Sequence, residues 1–395
     1  MISVGEARAI MLEHVAPLGQ EDVALCDALG RTLAQPIVAR RAQPPFRASA
    51  MDGYAVRASD TPGVLRVVGE AGAGHAFDHA LQRGECARIF TGAPVPAGAD
   101  AVLIQENAPR DGDAITAPLV EVNQHVRPAG VDFAEGAVLL SASAELSGPA
   151  IALAAAAGHA ELSVMRQPRI AVMGGGDEIV APGTEAEASQ VYDSASYGVA
   201  ALAATWGARA TTAAPYRDTA EEMAVAFDTA LAGADLAVVI GAASVGDHDH
   251  ARAAIKAIGA ELLFEKVALR PGKPTWFAVR HGKTILGLPG NPASALVCAR
   301  LFLRPLVAQL LGLDPNHTLT PCAARLRQPL ASNGARETYL RGKTSRDETG
   351  QFWVEVAENQ DSSLISVFAR SNVLVVRAPD AEPVSAGHLV QTLPI

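Results

Sequence analysis

Three short stretches of this 395-residue chain carry residue types spaced for handling anions and metal ions. The first is Gly174-Gly175-Gly176-Asp177-Glu178. Glycines let a ligand approach the backbone, and free N–H groups in such turns hold anions. A plain tight turn is the competing reading. The second is Ser244-Val245-Gly246-Asp247-His248-Asp249-His250. Two carboxylates one residue apart suit Mg²⁺, which takes oxygen ligands and shares them with phosphates. A solvated acidic turn that caps a helix fits the same residues. The histidines offer transition-metal ligands, but no cysteine stands near them. The third stretch runs from Lys266 through Arg270-Pro271-Gly272-Lys273-Pro274 and resumes at Leu288-Pro289-Gly290-Asn291-Pro292. Residues 266–283 hold Lys266, Arg270, Lys273, Arg280 and Lys283 and no acid. Asn291 suits a helix N-cap and Pro292 the first turn. A helix N-terminus with open N–H groups beside cations is an anion site, most naturally for phosphate. A solvated basic turn is the alternative, and it fits Arg280 and Lys283, which flank His281-Gly282.

These stretches need elements that bring them together. Residues 169–173 are an apolar strand running into the glycine triplet. A helix suits 191–206, a strand 210–215, and a helix 219–232, with Thr219 and Glu222 in capping-box spacing. The run 235–240 reads as a buried strand, 251–258 as a helix and 261–269 as a strand. Strands at 276–279 and 284–288 surround the His281-Gly282 turn, and 292–311 is a long helix. Alternating strands and helices predict a doubly wound α/β domain, which binds ligands at the carboxyl ends of its strands. On either side the texture differs. Residues 1–35 and 139–166 read as helical, and the Gly- and Pro-rich stretch between them as β-structure. After Pro315 the chain reads as β again. The fold class expected is thus multidomain α/β plus β. A discontinuous helical domain (1–42 and 138–166) holds a β-rich insert (43–137). The α/β domain (167–314) and a small, barrel-like C-terminal β domain (315–395) follow.

The composition narrows the function. Apolar residues make up 49% and charged residues 19%, a globular profile. With 42 acids against 32 Lys and Arg the net charge is −10, which disfavours nucleic acid and anionic membrane as partners. Cys26, Cys86, Cys298 and Cys322 are too far apart for a zinc or redox motif, so a reducing cytoplasm is expected. The N-terminus reads as an amphipathic helix rather than a signal peptide, and the Ala-rich run 151–157 is too short to span a bilayer.

The basic segment and its Leu-Pro-Gly-Asn-Pro partner resemble the paired signature of the molybdopterin molybdotransferases, whose animal relative is the E domain of gephyrin. Ser49-Ala50-Met51-Asp52-Gly53-Tyr54-Ala55-Val56 resembles the family's strongest motif, and Thr91-Gly92-Ala93-Pro94-Val95-Pro96 a second. Asp177-Glu178, Tyr192-Asp193 and Ser244-Val245-Gly246 fall in the family order, so the resemblance spans the chain. It implies four domains in an elongated homodimer. It also implies the reaction: adenylylated molybdopterin and molybdate bind, a divalent cation assists hydrolysis of the adenylyl bond, AMP leaves, and molybdenum stays on the dithiolene. Carried over by motif, Asp249, Asp218 and Glu178 are the candidates for Mg²⁺ and water positioning. Asp52 and Thr91 would reach the site from the second domain, across the dimer interface. Lys266, Arg270 and Lys273 would face phosphate or molybdate. Gly176, Asp177, Ser244, Gly246, Pro289, Gly290 and Asn291 would line the pterin and phosphate site, with Asp132 a further acid. Arg341 and Ser362 resemble the family's molybdate-binding pair. The adenylyltransferase that makes the substrate and acceptor molybdoenzymes are the implied protein partners.

The chain departs from the family pattern at the same pocket. Gly174-Gly175 replaces Ser-Thr, Ala242-Ala243 replaces Gly-Gly, Ala195 replaces Asn, Val131 replaces Glu and Arg270 replaces Lys. Two expectations follow: a transferase with altered binding, or a paralogue serving as a cofactor carrier or scaffold. If the site is degenerate, Gly175→Thr with Ala195→Asn is expected to raise activity.

Overall fold

The structure, a computed structural model, describes residues 1–242 and 250–395. Two compact units divide the chain. One comprises Met1–Glu21 with Met165–Ile395, the other Asp22–Val164.

The larger unit opens on helix α1 (Val4–Glu13), capped by Ser3 in a capping box with Glu6. Its apolar face, Val4, Ala7 and Met11, is fully buried. The α/β layer then follows as β1 (Arg169–Gly174), α2 (Ala195–Thr205), β2 (Arg209–Thr212), α3 (Ala220–Gly233), β3 (Leu236–Ile240), α4 (His250–Ala257), β4 (Glu261–Phe264), β5 (Leu269–Arg270), β6 (Trp276–Arg280) and β7 (Lys283–Leu288). The sheet order is β2-β1-β3-β7-β6-β4. The first four strands are parallel, and β6 runs antiparallel to both its neighbours, β7 and β4. Side-chain alternation divides the core between the two faces. Ile170, Val172, Leu236, Val238, Leu286 and Leu288 join α1, α2 and the long helix on one side. Met173, Ala237, Val239 and Ile285 join α3 and α4 on the other. Because both faces are covered, β3 (Leu-Ala-Val-Val-Ile) is apolar and buried throughout.

The long helix is built of α5 (Pro292–Cys298), a π turn (Ala299–Leu303) and α6 (Arg304–Leu310). It is long and apolar enough to cross a membrane, but 89% of it is buried inside the unit, as in a core helix of a folded domain.

The expected strand 261–269 is two pieces. After β4 the chain leaves the α/β sheet, and β5 pairs in parallel with β9 (Glu337–Arg346) of the C-terminal layer. That layer contains β8 (Cys322–Leu326), β9, β10 (Phe352–Val356), β11 (Val373–Arg377) and β12 (Leu389–Pro394) in the order β5-β9-β10-β8-β12-β11. Pairing of β9 with β11 closes it into a small barrel, so a segment of the α/β region is one of its staves. The Lys266–Pro274 segment is held in place by this crossing.

In the smaller unit, Ala28, Leu33, Ile37 and Ala39 pack against Leu146, Ala150, Ala154, Leu162 and Val164, two stretches far apart in sequence. Helix is scarcer than the sequence pattern suggested. The N-terminal helix ends at Glu13 and packs in the larger unit, Gln20–Ala24 is a strand, and only Gly148–Ala156 of 139–166 is helical. Pro17 and Gly19 stop the first helix, and the Ala-rich composition of the second stretch favours helix only until Gly158. Between the two stretches lies a six-stranded sheet in which Gly53–Val56 is central, paired with Glu85–Ile89 and Ala101–Ile104.

Candidate functional site

The parallel register of β2, β1, β3 and β7 brings four strand ends to one edge. Tyr216, Gly175, Gly241 and Gly290 stand there in contact. The Gly175 N–H donates to the Ile240 carbonyl at 3.0 Å, the Gly241 N–H to the Leu288 carbonyl at 3.2 Å, and the Gly176 N–H to the Tyr216 carbonyl at 3.2 Å. A β-carbon on Gly241, whose φ is +90°, would lie 2.5 Å from the Gly175 oxygen; one on Gly290 would lie 3.3 Å from the Gly241 α-carbon. The glycines therefore serve close packing of strand ends, and the N–H groups of Gly175 and Gly176 are spent on carbonyls rather than left open for an anion.

The acids gather at the outer end of this row. The Asp218 N–H donates to Asp177 Oδ1 at 3.3 Å, because Tyr216 and Gly175 bridge as neighbouring strands would. Glu178 folds its carboxylate back over Gly176. Asp177, Glu178 and Asp218 are all exposed. Ser244, Gly246 and Asp249 lie outside the described residues. Among the described residues, no group of three or more His, Cys, Asp or Glu side chains is arranged to hold a metal ion. The exposed carboxylates of Asp177, Glu178 and Asp218, on two adjacent strand ends, offer the oxygen donors that Mg²⁺ takes. Beneath them Asp193 is buried and accepts from the Ser196 N–H at 3.0 Å, capping α2.

At the inner end of the row, Pro289 and Asn291 turn into a cavity of about 570 Å³. Arg270 and Lys273 line it on one side; Ser332, Asn333, Arg336 and Thr338 of the barrel line it on the other, with Ser362 and Arg377. Lys266 is not among the lining residues; it is exposed, and its carbonyl accepts from the Ile2 N–H. The start of the long helix differs from expectation. Pro292 occupies the first turn, but the Asn291 side chain makes no cap. Its amide donates to Ser362 Oγ at 2.7 Å, and the Ala293 N–H donates to the Ser362 carbonyl at 3.2 Å. The C-terminal layer thus supplies the cap, and one helix N–H that would have faced an anion is engaged.

Arg341 is likewise not an open ligand. It is 1% exposed, and its guanidinium donates to Gln360 Oε1 at 3.2 Å, the Leu364 carbonyl at 3.2 Å and the Asp361 carbonyl at 2.9 Å. It clasps the 360–364 loop that carries Ser362, and it does not line the cavity. Arg336 and Arg377 are the cavity cations that motif reading missed. The polar turn Ser332-Asn333-Gly334 followed by Arg336 was the available signal; it gains meaning only when the barrel faces α5.

In the smaller unit, Asp52 and Thr91 come together as a pair. Asp52 Oδ1 accepts from the Thr91 N–H at 2.7 Å and from its hydroxyl at 2.8 Å. The backbone bond, then the hydroxyl, holds the carboxyl below its usual 3.8. Gly53 must be glycine, since a β-carbon there would lie 2.0 Å from the Leu103 carbonyl oxygen. Asp132 is exposed, with its N–H on the Gln43 carbonyl.

Comparison with known proteins divides the chain in the same order. Residues 2–158 match the MoeA N-terminal region (domain I and II), 171–309 a probable molybdopterin binding domain, and 323–395 the MoeA C-terminal region (domain IV). A molybdopterin molybdenumtransferase of Haemophilus influenzae is 34% identical over 403 residues, covering 100% of this chain and 98% of the relative. One from Nostoc is 34% identical over 415 residues, covering 100% and 94%. The crystal structure of the molybdopterin biosynthesis MoeA protein from Pyrococcus horikoshii superposes with a TM-score of 0.87 at 29% identity, over 100% of this chain and 99% of that one.

Proposed function

The chain belongs to the family of the molybdopterin molybdenumtransferases, and on that premise we propose the chemistry its strand-end acids and cation-lined cavity perform. Its activity is transfer of molybdenum to molybdopterin. The carrier or scaffold reading is not favoured, since the relatives that match it end to end are named as transferases.

The proposed substrates are adenylylated molybdopterin and molybdate. One observation carries this. The Pro289-Gly290-Asn291 turn serves both regions at once: Gly290 abuts the row of strand ends, while Pro289 and Asn291 line the cavity. A substrate with a phosphate linkage at one end and a metal-accepting group at the other needs such a double site. In this reading the adenylyl linkage lies toward Asp177, Glu178 and Asp218. Glu178 and Asp218 would each offer Mg²⁺ a carboxylate oxygen, and Asp249 is the third candidate acid by motif. When bound, Mg²⁺ supplies positive charge to phosphoryl oxygens in the transition state. Arg270, Lys273 and Arg336 draw the molybdate dianion into the cavity, and several cations acting together outweigh the small value of each exposed contact. The Ser362 hydroxyl, fixed by Asn291, gives a neutral polar group at the same wall. Asp52, kept ionised by Thr91, is a further acid for the reaction. A homodimer in the cytoplasm is the proposed working state; four free thiols, two of them buried, support the reducing compartment.

The test is direct. Purified protein given Mg²⁺, molybdate and adenylylated molybdopterin is expected to release AMP and form cofactor that reactivates an apo-molybdoenzyme. Asp218→Asn is expected to lower turnover more than substrate affinity. Substrate binding without AMP release would refute the hydrolytic step.

A further inference from the structure

Gly175 stands where the family pattern has threonine, and the structure shows what occupies the missing side chain's place. A β-carbon built on Gly175 would lie 2.0 Å from Tyr216 Cε2, 2.1 Å from Cζ and 2.6 Å from the hydroxyl. No real side chain fits there. The ring lies flush on the glycine, 6% exposed. Its hydroxyl donates to the Ile240 carbonyl at 3.2 Å, the same carbonyl that receives the Gly175 N–H. Its backbone pairs with both neighbours of Gly175: the Tyr216 N–H donates to the Gly174 carbonyl and the Gly176 N–H to the Tyr216 carbonyl, each at 3.2 Å. Phe227 meets the ring edge-on at 6.0 Å. One side chain therefore ties the ends of β1 and β3 to the residues following β2, and the next two positions lead to Asp218.

We propose that Tyr216 is a positioning residue for molybdenum insertion: its ring replaces a side chain at position 175 and sets the strand-end floor, with Asp177 and Asp218 at its edge, against which the pterin substrate is held. The inference rests on the reading that this edge binds the substrate. The glycine triplet is then one half of an exchange between two neighbouring strands, in which bulk removed from β1 is restored from the residue after β2. The hydroxyl acts as a fixed donor to the Ile240 carbonyl. The expectation that Gly175→Thr with Ala195→Asn would raise activity gives way to the opposite one, because threonine at 175 would collide with the ring.

The test is a double-mutant cycle in the full-length protein with Tyr216→Val and Gly175→Thr, read by thermal melting and by the KM and kcat of cofactor formation. Each single variant is expected to raise KM about tenfold or more with a smaller change in kcat, the cost of displacing a positioned group by a fraction of an ångström. The pair is expected to recover most of both losses, since threonine then occupies the space the ring vacates. Tyr216→Phe keeps the ring and is expected to stay within about fivefold of wild type, since one neutral hydrogen bond contributes roughly 1 kcal/mol. Additive losses in the pair, or an unchanged KM in a folded single variant, would overturn the proposal. So would a Phe variant as damaged as the Val variant. If the single variants do not fold, folding of the pair supports the exchange and its failure refutes it. Loss of AMP release in the wild type, with substrate binding intact, would instead strike the hydrolytic reading alone.

Discussion

Replacing Arg341 with lysine keeps the positive charge and removes the fork that holds the 360–364 loop. The guanidinium serves Gln360 Oε1 and the carbonyls of Asp361 and Leu364 from three different nitrogens. A lysine ammonium is a single point and cannot serve three diverging acceptors from that position. Each acceptor keeps a backbone donor, the Arg341 N–H on Gln360 Oε1, the Leu364 N–H on the Asp361 carbonyl and the Phe368 N–H on the Leu364 carbonyl, so the loss is of two bonds to a charged group. At roughly 1.5–3 kcal/mol for each hydrogen bond to a charged group, losing two costs about 3 kcal/mol, the low end of the range. For a folding unit of this size that corresponds to a fall in Tm of about 6–12 °C. Because Ser362 rides on the loop and caps the long helix, the Asn291–Ser362 contact should loosen as well. Thermal melting followed by circular dichroism, with molybdate binding measured by calorimetry, tests this. Arg341→Lys is expected to melt well below wild type and to bind molybdate more weakly, and osmolyte stabilisation should restore part of the binding. A wild-type melting temperature combined with lost molybdate binding would refute the clasp and make Arg341 a direct ligand.

Two further outcomes follow from the geometry. Thr91→Val removes the hydroxyl from Asp52 but leaves the stronger backbone donor, so the Asp52 pKa should rise and still stay below 3.8. The sign is that of a depressed carboxyl: the pairing is complete above the unfolded pKa and is lost as pH falls through the folded one; a carboxyl-resolved NMR titration that showed no rise would remove the hydroxyl from the account. Cys26 and Cys322 are exposed, whereas burial pushes Cys86 and Cys298 up to about 12, so a thiol reagent should titrate two cysteines in native protein and four after unfolding; fast reaction of all four would mean that the buried pair opens readily.

Much of the candidate site was readable in the chain itself. The strand-loop-helix rhythm put Gly174–Glu178 and Leu288–Asn291 at strand ends, and the parallel sheet brings them to one edge. Asp52 and Thr91, 39 residues apart and each picked out by its motif, meet in a pair that the sequence did not announce. Arg341 was legible as a cation that the family resemblance paired with Ser362 for molybdate. Whether it faces a ligand or a carbonyl depends on the 360–364 loop, which no local pattern encodes. Lys266 was grouped with Arg270 and Lys273 by sequence proximity, yet the chain bends at Val267–Leu269 to pair with β9, which parts Lys266 from the cavity. Helix was expected over too long a stretch at the N-terminus, where the pairing of Gln20–Ala24 with the distant Glu161–Met165 outweighed local helix propensity.

The sequence by itself determined the layer architecture, the order of the motifs and the kinds of ligand they suit. These follow from side-chain periodicity and residue chemistry, which act over a few positions. Only the tertiary structure decided which donors remain open. The N–H groups of Gly175, Gly176 and Ala293 and the guanidinium of Arg341 were all candidates for an anion, and folding gives each one a carbonyl or amide oxygen. Buried donors must be satisfied, and their partners come from segments as distant as β3, the stretch after β2 and the barrel loop; at the cavity, too, packing engages Arg336 with the Leu269 carbonyl and Arg377 with those of Ala331, Ala381 and Glu382.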